Sequence, residues 1–199
     1  MDCKSKTLDI EISGEVTIYL CNEELENLNI NIKDESILNV YKFNKIKENN
    51  LIVNINQNNN SKLNYNESII NNLENNLVIN NDIKGNNNVS NINIRNICND
   101  NNSKIIINVC VKENTINNIA LEDLKGINNG GFIHIEPNIV CLSNEVEANH
   151  LTTIGSLDKF SLDYLMSKGI SIEKAKEILL KGFIFSNMDE YIKKNFGGD

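Results

Sequence analysis

Apolar and polar residues alternate with period two through most of this chain. Leu28-Asn29-Ile30-Asn31-Ile32, Ile52-Val53-Asn54-Ile55-Asn56 and Ile92-Asn93-Ile94 are typical runs. Such alternation turns one row of side chains inward and the other outward along an extended strand. Strand-like segments recur about every 10 to 13 residues. They are expected at about 27–32, 37–43, 51–56, 62–70, 75–83, 89–97, 104–112, 116–121, 131–135 and 138–142. Between them stand clusters such as Asn58-Asn59-Asn60-Ser61, Gly85-Asn86-Asn87-Asn88 and Asn99-Asp100-Asn101-Asn102. These residue types tolerate the left-handed backbone that tight turns require.

Regular short strands with no helices between them fit a sandwich, a barrel or a β-solenoid. An unchanging repeat and a single proline, Pro137, favour the solenoid, a right-handed parallel β-helix stacked from about 25 to 155. Stacked asparagines would then form hydrogen-bonded ladders. No rung has a strict consensus, so a sandwich remains open on this evidence alone.

The pattern changes after His150. Asp158 or Ser161 can cap a helix over about 159–168, and Gly169 is placed to end it. Ser171 caps a second helix with Ile172, Ala175, Ile178, Leu179 and Phe183 on one stripe, and Met188 to Phe196 can add a last turn. This divides the chain into a β-helix core, 1–155, and a C-terminal helical segment, 156–199. The amphipathic pair must pack on the end of the solenoid, on a partner, or on both, because an open terminal rung exposes core and backbone edges.

Composition narrows the function. The chain has 199 residues, a net charge of −8 and 40% hydrophobic residues. Asparagine makes up about a fifth of it, almost all before His150. Its interleaving with Ile, Leu and Val argues against disorder. The acidic balance and lack of a basic cluster argue against a nucleic-acid partner. No apolar run is long enough for a membrane helix, and the start MDCKSKTLDIEIS has no apolar signal region, so the expected compartment is the cytoplasm. The five cysteines, Cys3, Cys21, Cys98, Cys110 and Cys141, form no CxxC and read as reduced, mostly buried thiols.

Enzyme signatures are missing: there is no Walker A sequence, nucleophile elbow or HExxH. The pair Glu122-Asp123 would suit a carbohydrate-cleaving β-helix enzyme, but such enzymes are usually exported. The expectation is that the chain is not an enzyme.

From Pro137 to Phe183 the residues run Pro137-Asn138-Ile139, His150-Leu151-Thr152-Thr153-Ile154-Gly155, Leu157-Asp158, Tyr164-Leu165-Met166-Ser167-Lys168-Gly169-Ile170, Glu173-Lys174-Ala175 and Gly182-Phe183. In order and spacing this resembles the carboxy-terminal segment of the SufB/SufD family, scaffolds of iron–sulfur cluster assembly. The resemblance implies a right-handed parallel β-helix and a short, SufD-like member, since full-length relatives also carry an amino-terminal helical domain. It implies docking of a SufC-like ABC ATPase through residues 156–185. It also implies pairing with a SufB-like or identical protomer through the β-helix, and a transient iron–sulfur cluster at that junction. The family's motif histidine falls on His150, a tentative iron ligand. Where SufB has a glutamate next to it this chain has Leu151, and where SufB has its cysteine the count back from Pro137 reaches Gly131. Cys141, expected on a strand neighbouring His150, and His134 are weaker candidates. An interaction module without a cluster role is the alternative function.

Overall fold

A computed structural model describes residues 6–45 and 49–197. Twelve strands come first: β1 (Thr7–Ile12), β2 (Glu15–Cys21), β3 (Asn27–Ile32), β4 (Ile37–Asn44), β5 (Asn49–Gln57), β6 (Lys62–Asn71), β7 (Asn75–Ile83), β8 (Val89–Cys98), β9 (Asn102–Val111), β10 (Asn118–Asn128), β11 (Phe132–Cys141) and β12 (Val146–Gly155). Helices α1 (Lys159–Ser167), α2 (Ile172–Ile184) and α3 (Glu190–Phe196) follow.

Odd strands form one six-stranded sheet in the order β1-β3-β5-β7-β9-β11, and even strands form the other, β12-β10-β8-β6-β4-β2. Every pairing is parallel. The chain is a parallel β-solenoid with two strands per coil. A sandwich would pair its strands antiparallel. The sequence period is therefore half a coil, and a full coil takes about 20 to 30 residues, as the pairs Thr7–Asn27 and Val89–Ile119 measure.

The alternation sorts side chains as expected. Leu28, Val53, Ile79 and Ile107 stack in register inside, each essentially buried. On the outer face of the same sheet, Asn138, Asn108, Asn80, Asn54 and Asn29 each donate their amide to the residue one coil earlier, ending on Asp9, over 2.7 to 3.1 Å. The asparagine excess thus satisfies its own polar groups coil by coil. Other asparagines make the turns: Asn60, Asn87 and Asp100 sit at φ 53°, 55° and 57° in the clusters expected to turn. Some ladders run inside. Buried Asn75 accepts from Asn49 at 2.9 Å and donates to Ser103 Oγ at 2.8 Å. Asn75→Ala should therefore cost about 1–3 kcal/mol by stranding both partners, measured as a shift in urea unfolding.

Several expectations need correction. The solenoid begins at Thr7 rather than near 25, and the segments at 131–135 and 138–142 are one strand, β11, running through Pro137. β11 is the edge of its sheet, where the ladder has no neighbour on one side and a missing N–H is tolerated.

The helical segment does not close the solenoid's end. Asp158 caps α1 by accepting from Ser161 N, Ser171 caps α2 by accepting from Lys174 N, and Gly169 takes φ 84° between them. From there the tail turns back along the outer face of the even-stranded sheet. Ile184, Met188 and Ile192 pack on outward-facing Phe43, Ile97 and Ile127 near the ends of β4, β8 and β10. Ser68 Oγ donates to the Ile184 carbonyl at 2.6 Å, Arg95 Nε donates to Ser186 Oγ at 3.1 Å, and Tyr19 donates to Asp189 at 2.6 Å. The tail thus crosses from β10 back to β2 and leaves the last rung, β11 and β12, uncovered. Among the described residues, no helix is long and apolar enough to cross a membrane.

Candidate functional site

The open C-terminal end is built from β11, β12 and the arm that follows them. In β12 only Val146 is partly covered; Glu147 to Gly155 are exposed. β12 pairs with β10 so that Ala120, Glu122 and Leu124 stand opposite Ala148, His150 and Thr152. Ala120 and Leu124 belong to the interior cluster, so this column points inward, and His150 takes an inward position on a rung that no other described residue covers. His150 lies in the middle of β12, a strand beyond the last expected segment at 138–142.

The other candidates lie elsewhere. His134 and Glu136 point outward from β11, with Nε2 and Oε2 3.2 Å apart. Hydrogen bonds from His134 and then Asn138 hold the Glu136 carboxylate below its usual range. Cys141 is exposed at the end of β11, in the odd-stranded sheet. It is therefore not on a strand neighbouring β12, because consecutive strands in a two-sheet coil belong to opposite sheets. Of the other thiols, Cys98 is buried, Cys21 and Cys110 are partly covered, and Cys3 lies outside the described residues. Among the described residues, no three His, Cys, Asp or Glu side chains converge on one point. The described donors, taken by themselves, do not fit a four-ligand cluster.

Gly131 shows why one expected ligand is absent. A Cβ there would lie 2.1 Å from the Asn101 carbonyl oxygen and 2.6 Å from Cys98 Sγ. The Cys98 thiol, which donates to that carbonyl at 2.9 Å, fills the space. Gly131→Cys should therefore lower stability by about 1–3 kcal/mol through overpacking and gain no iron binding, as denaturant unfolding and iron titration would show.

Glu122 and Asp123 do not act together as a carboxylate pair, because adjacent strand residues point to opposite faces. Asp123 faces outward and holds Arg95 at 2.6 Å. Glu122 points inward, is 3% exposed, and neither of its oxygens meets a hydrogen-bond donor among the described residues. Burial pushes its carboxyl up to about 7. Strand parity counted from buried Ala120 would have placed it inside.

The arm after β12 is the second open surface. α1 packs on α2 and has no buried residue; Phe160 is 86% and Tyr164 62% exposed. Only Ala175 and Ile184 of α2 are buried.

Residues 127–183, from the end of β10 through most of α2, match the family model described as the SUF system iron–sulfur cluster assembly, SufBD core domain. A 48-residue stretch is 44% identical to an iron–sulfur cluster assembly SufBD family protein of Pyrococcus horikoshii. Both matches support membership of the SufB/SufD family. The second covers 24% of this chain and 11% of the relative. The SufB/SufD-like region coincides with the open end and the arm, while the asparagine-rich coils before it lie outside the family-model match.

Proposed function

We propose that this chain is a scaffold subunit of iron–sulfur cluster assembly, working in the cytoplasm and not itself a catalyst. It joins a SufB-like or identical protomer through its open end and docks a SufC-like ABC ATPase through α1 and the start of α2. The observation that carries this reading is the coincidence just described: the family-matched residues form the two surfaces that the fold leaves uncovered. The cluster is cargo, assembled at the junction with the second protomer, and His150 is this chain's contribution to holding it.

The ATPase contact is tested without disturbing the core. Deleting 156–199 would strip Ile184, Met188 and Ile192 from the sheet and confuse lost docking with misfolding. Phe160→Glu with Tyr164→Glu changes only exposed positions. Co-purification with the ATPase should fall at least about tenfold, with the circular dichroism spectrum unchanged; undiminished binding would place the docking surface elsewhere.

The second reading, an interaction module without a cluster role, is favoured by Gly131 and Leu151 standing where SufB has ligands. Anaerobic reconstitution of the complex with iron and sulfide separates the two. Under the first reading His150→Ala lowers cluster absorbance in the assembled complex, whereas under the second the substitution has no effect.

A further inference from the structure

Two inward polar groups of the even-stranded sheet are treated in opposite ways by the fold. Glu67, deep in the solenoid, receives Lys42, Asn44 and Tyr65. Glu122, one strand from the open end, receives nothing. Ile92 is its neighbour in register on β8, with Ala120 and Leu124 on either side along β10. An unpaired carboxyl in such surroundings is costly. The only side chain in register with it toward the opening is His150, on a strand about 4.8 Å away. The His150 side chain makes no hydrogen bond among the described residues, and its rung is open to whatever approaches the end. One carboxylate oxygen and one imidazole nitrogen, side by side on parallel strands, are donors suited to a divalent first-row transition cation.

We propose that Glu122 and His150 form a half-site for such a cation. The remaining coordination positions face outward through the open end, where ligands from an apposed protomer complete them. On the scaffold reading above, on which only the identity of the metal and of the second half rests, the cation is ferrous iron arriving as cargo. Binding is a ligand exchange without redox change: the cation replaces the proton on the Glu122 carboxyl, which leaves to solvent, and takes a lone pair from His150.

The test uses the whole chain and cobalt(II) as the probe, with visible absorption and the ring-nitrogen NMR signals of the two histidines as readouts. Cobalt should shift or broaden His150 and leave His134 unchanged. Glu122→Gln and His150→Ala should each weaken cobalt binding about tenfold or more, and the double substitution should be no worse than the weaker single one. Glu122→Gln keeps the side chain's shape, and His150 is exposed, so both should fold; circular dichroism verifies this. Three results would overturn the proposal: no binding at millimolar cobalt, unchanged affinity in Glu122→Gln, or a response at His134 in place of His150. Because the isolated chain is used, failure here leaves the ATPase-docking result standing, and failure of docking leaves the half-site standing.

Discussion

Glu67→Ala should cost the fold about 3–5 kcal/mol, the range for removing one partner of a buried ion pair. Glu67 and Lys42 face each other across β4 and β6 inside the solenoid, at 0% and 1% side-chain exposure, with Nζ and Oε1 2.6 Å apart. The carboxylate also receives Asn44 Nδ2 at 3.1 Å and the Tyr65 hydroxyl at 2.7 Å. Burial, then the carboxylate beside it, push the Tyr65 phenol well above its ordinary value, so it stays a donor. Truncating Glu67 leaves an ammonium, an amide and a phenol without an acceptor in an apolar tube. Urea unfolding followed by circular dichroism measures the loss. A cost under about 1 kcal/mol would mean that water enters the tube and solvates Lys42. Lys42→Met combined with Glu67→Leu should recover much of the loss, because no charge is then left unpaired, although Asn44 and Tyr65 still lack their acceptor.

The same cluster marks the boundary of what the sequence discloses. Alternation in Leu28–Ile32 and Ile52–Asn56 specifies strand, face and spacing, because burial of one row is a local consequence of the pleat. The turns are equally legible, since Asn60, Asn87 and Asp100 accept a left-handed backbone that most residues resist. β1 and β2 carry the same signal, with Leu8, Ile10 and Ile12 between Asp9 and Glu11, but their charged outer rows stand apart from the asparagine-rich pattern. The interior meeting of Lys42 with Glu67 depends on register between strands a full coil apart, which no local pattern encodes. The return of the tail is also a long-range matter. Its trace in the sequence was the apolar residues at outward parity, Phe43, Ile97 and Ile127, which a free sheet face would not carry. For the site, the family motif located His150 but not its surroundings. Glu122 became visible only when the pairing of β10 with β12 showed which residue stands beneath the histidine.

The buried position of Glu122 also makes a prediction about acid and base that needs no metal. Its carboxyl is raised from 4.5 to about 7 by burial. The folded chain therefore holds a proton that the unfolded chain has already released. Stability from this group is fully present below about 4.5, falls as pH rises through about 7, and levels off above that. The rise corresponds to about 3.5 kcal/mol at most, since one unit is about 1.4 kcal/mol. Glutamine mimics the protonated form at every pH. Glu122→Gln should thus exceed the wild type by less than about 1 kcal/mol near pH 5 and by about 3 kcal/mol near pH 8, as the difference between their urea midpoints. His150 is the titratable group in register with it, and the inward positions of β11 are apolar apart from Cys141 at its end. Taking the difference between the two proteins cancels the groups that titrate identically in both. If the wild type loses no stability relative to Glu122→Gln between these pH values, the carboxyl reaches water through the open end and is ionised in the folded state. The half-site would then be already deprotonated, and cation binding would show no dependence on pH from this group.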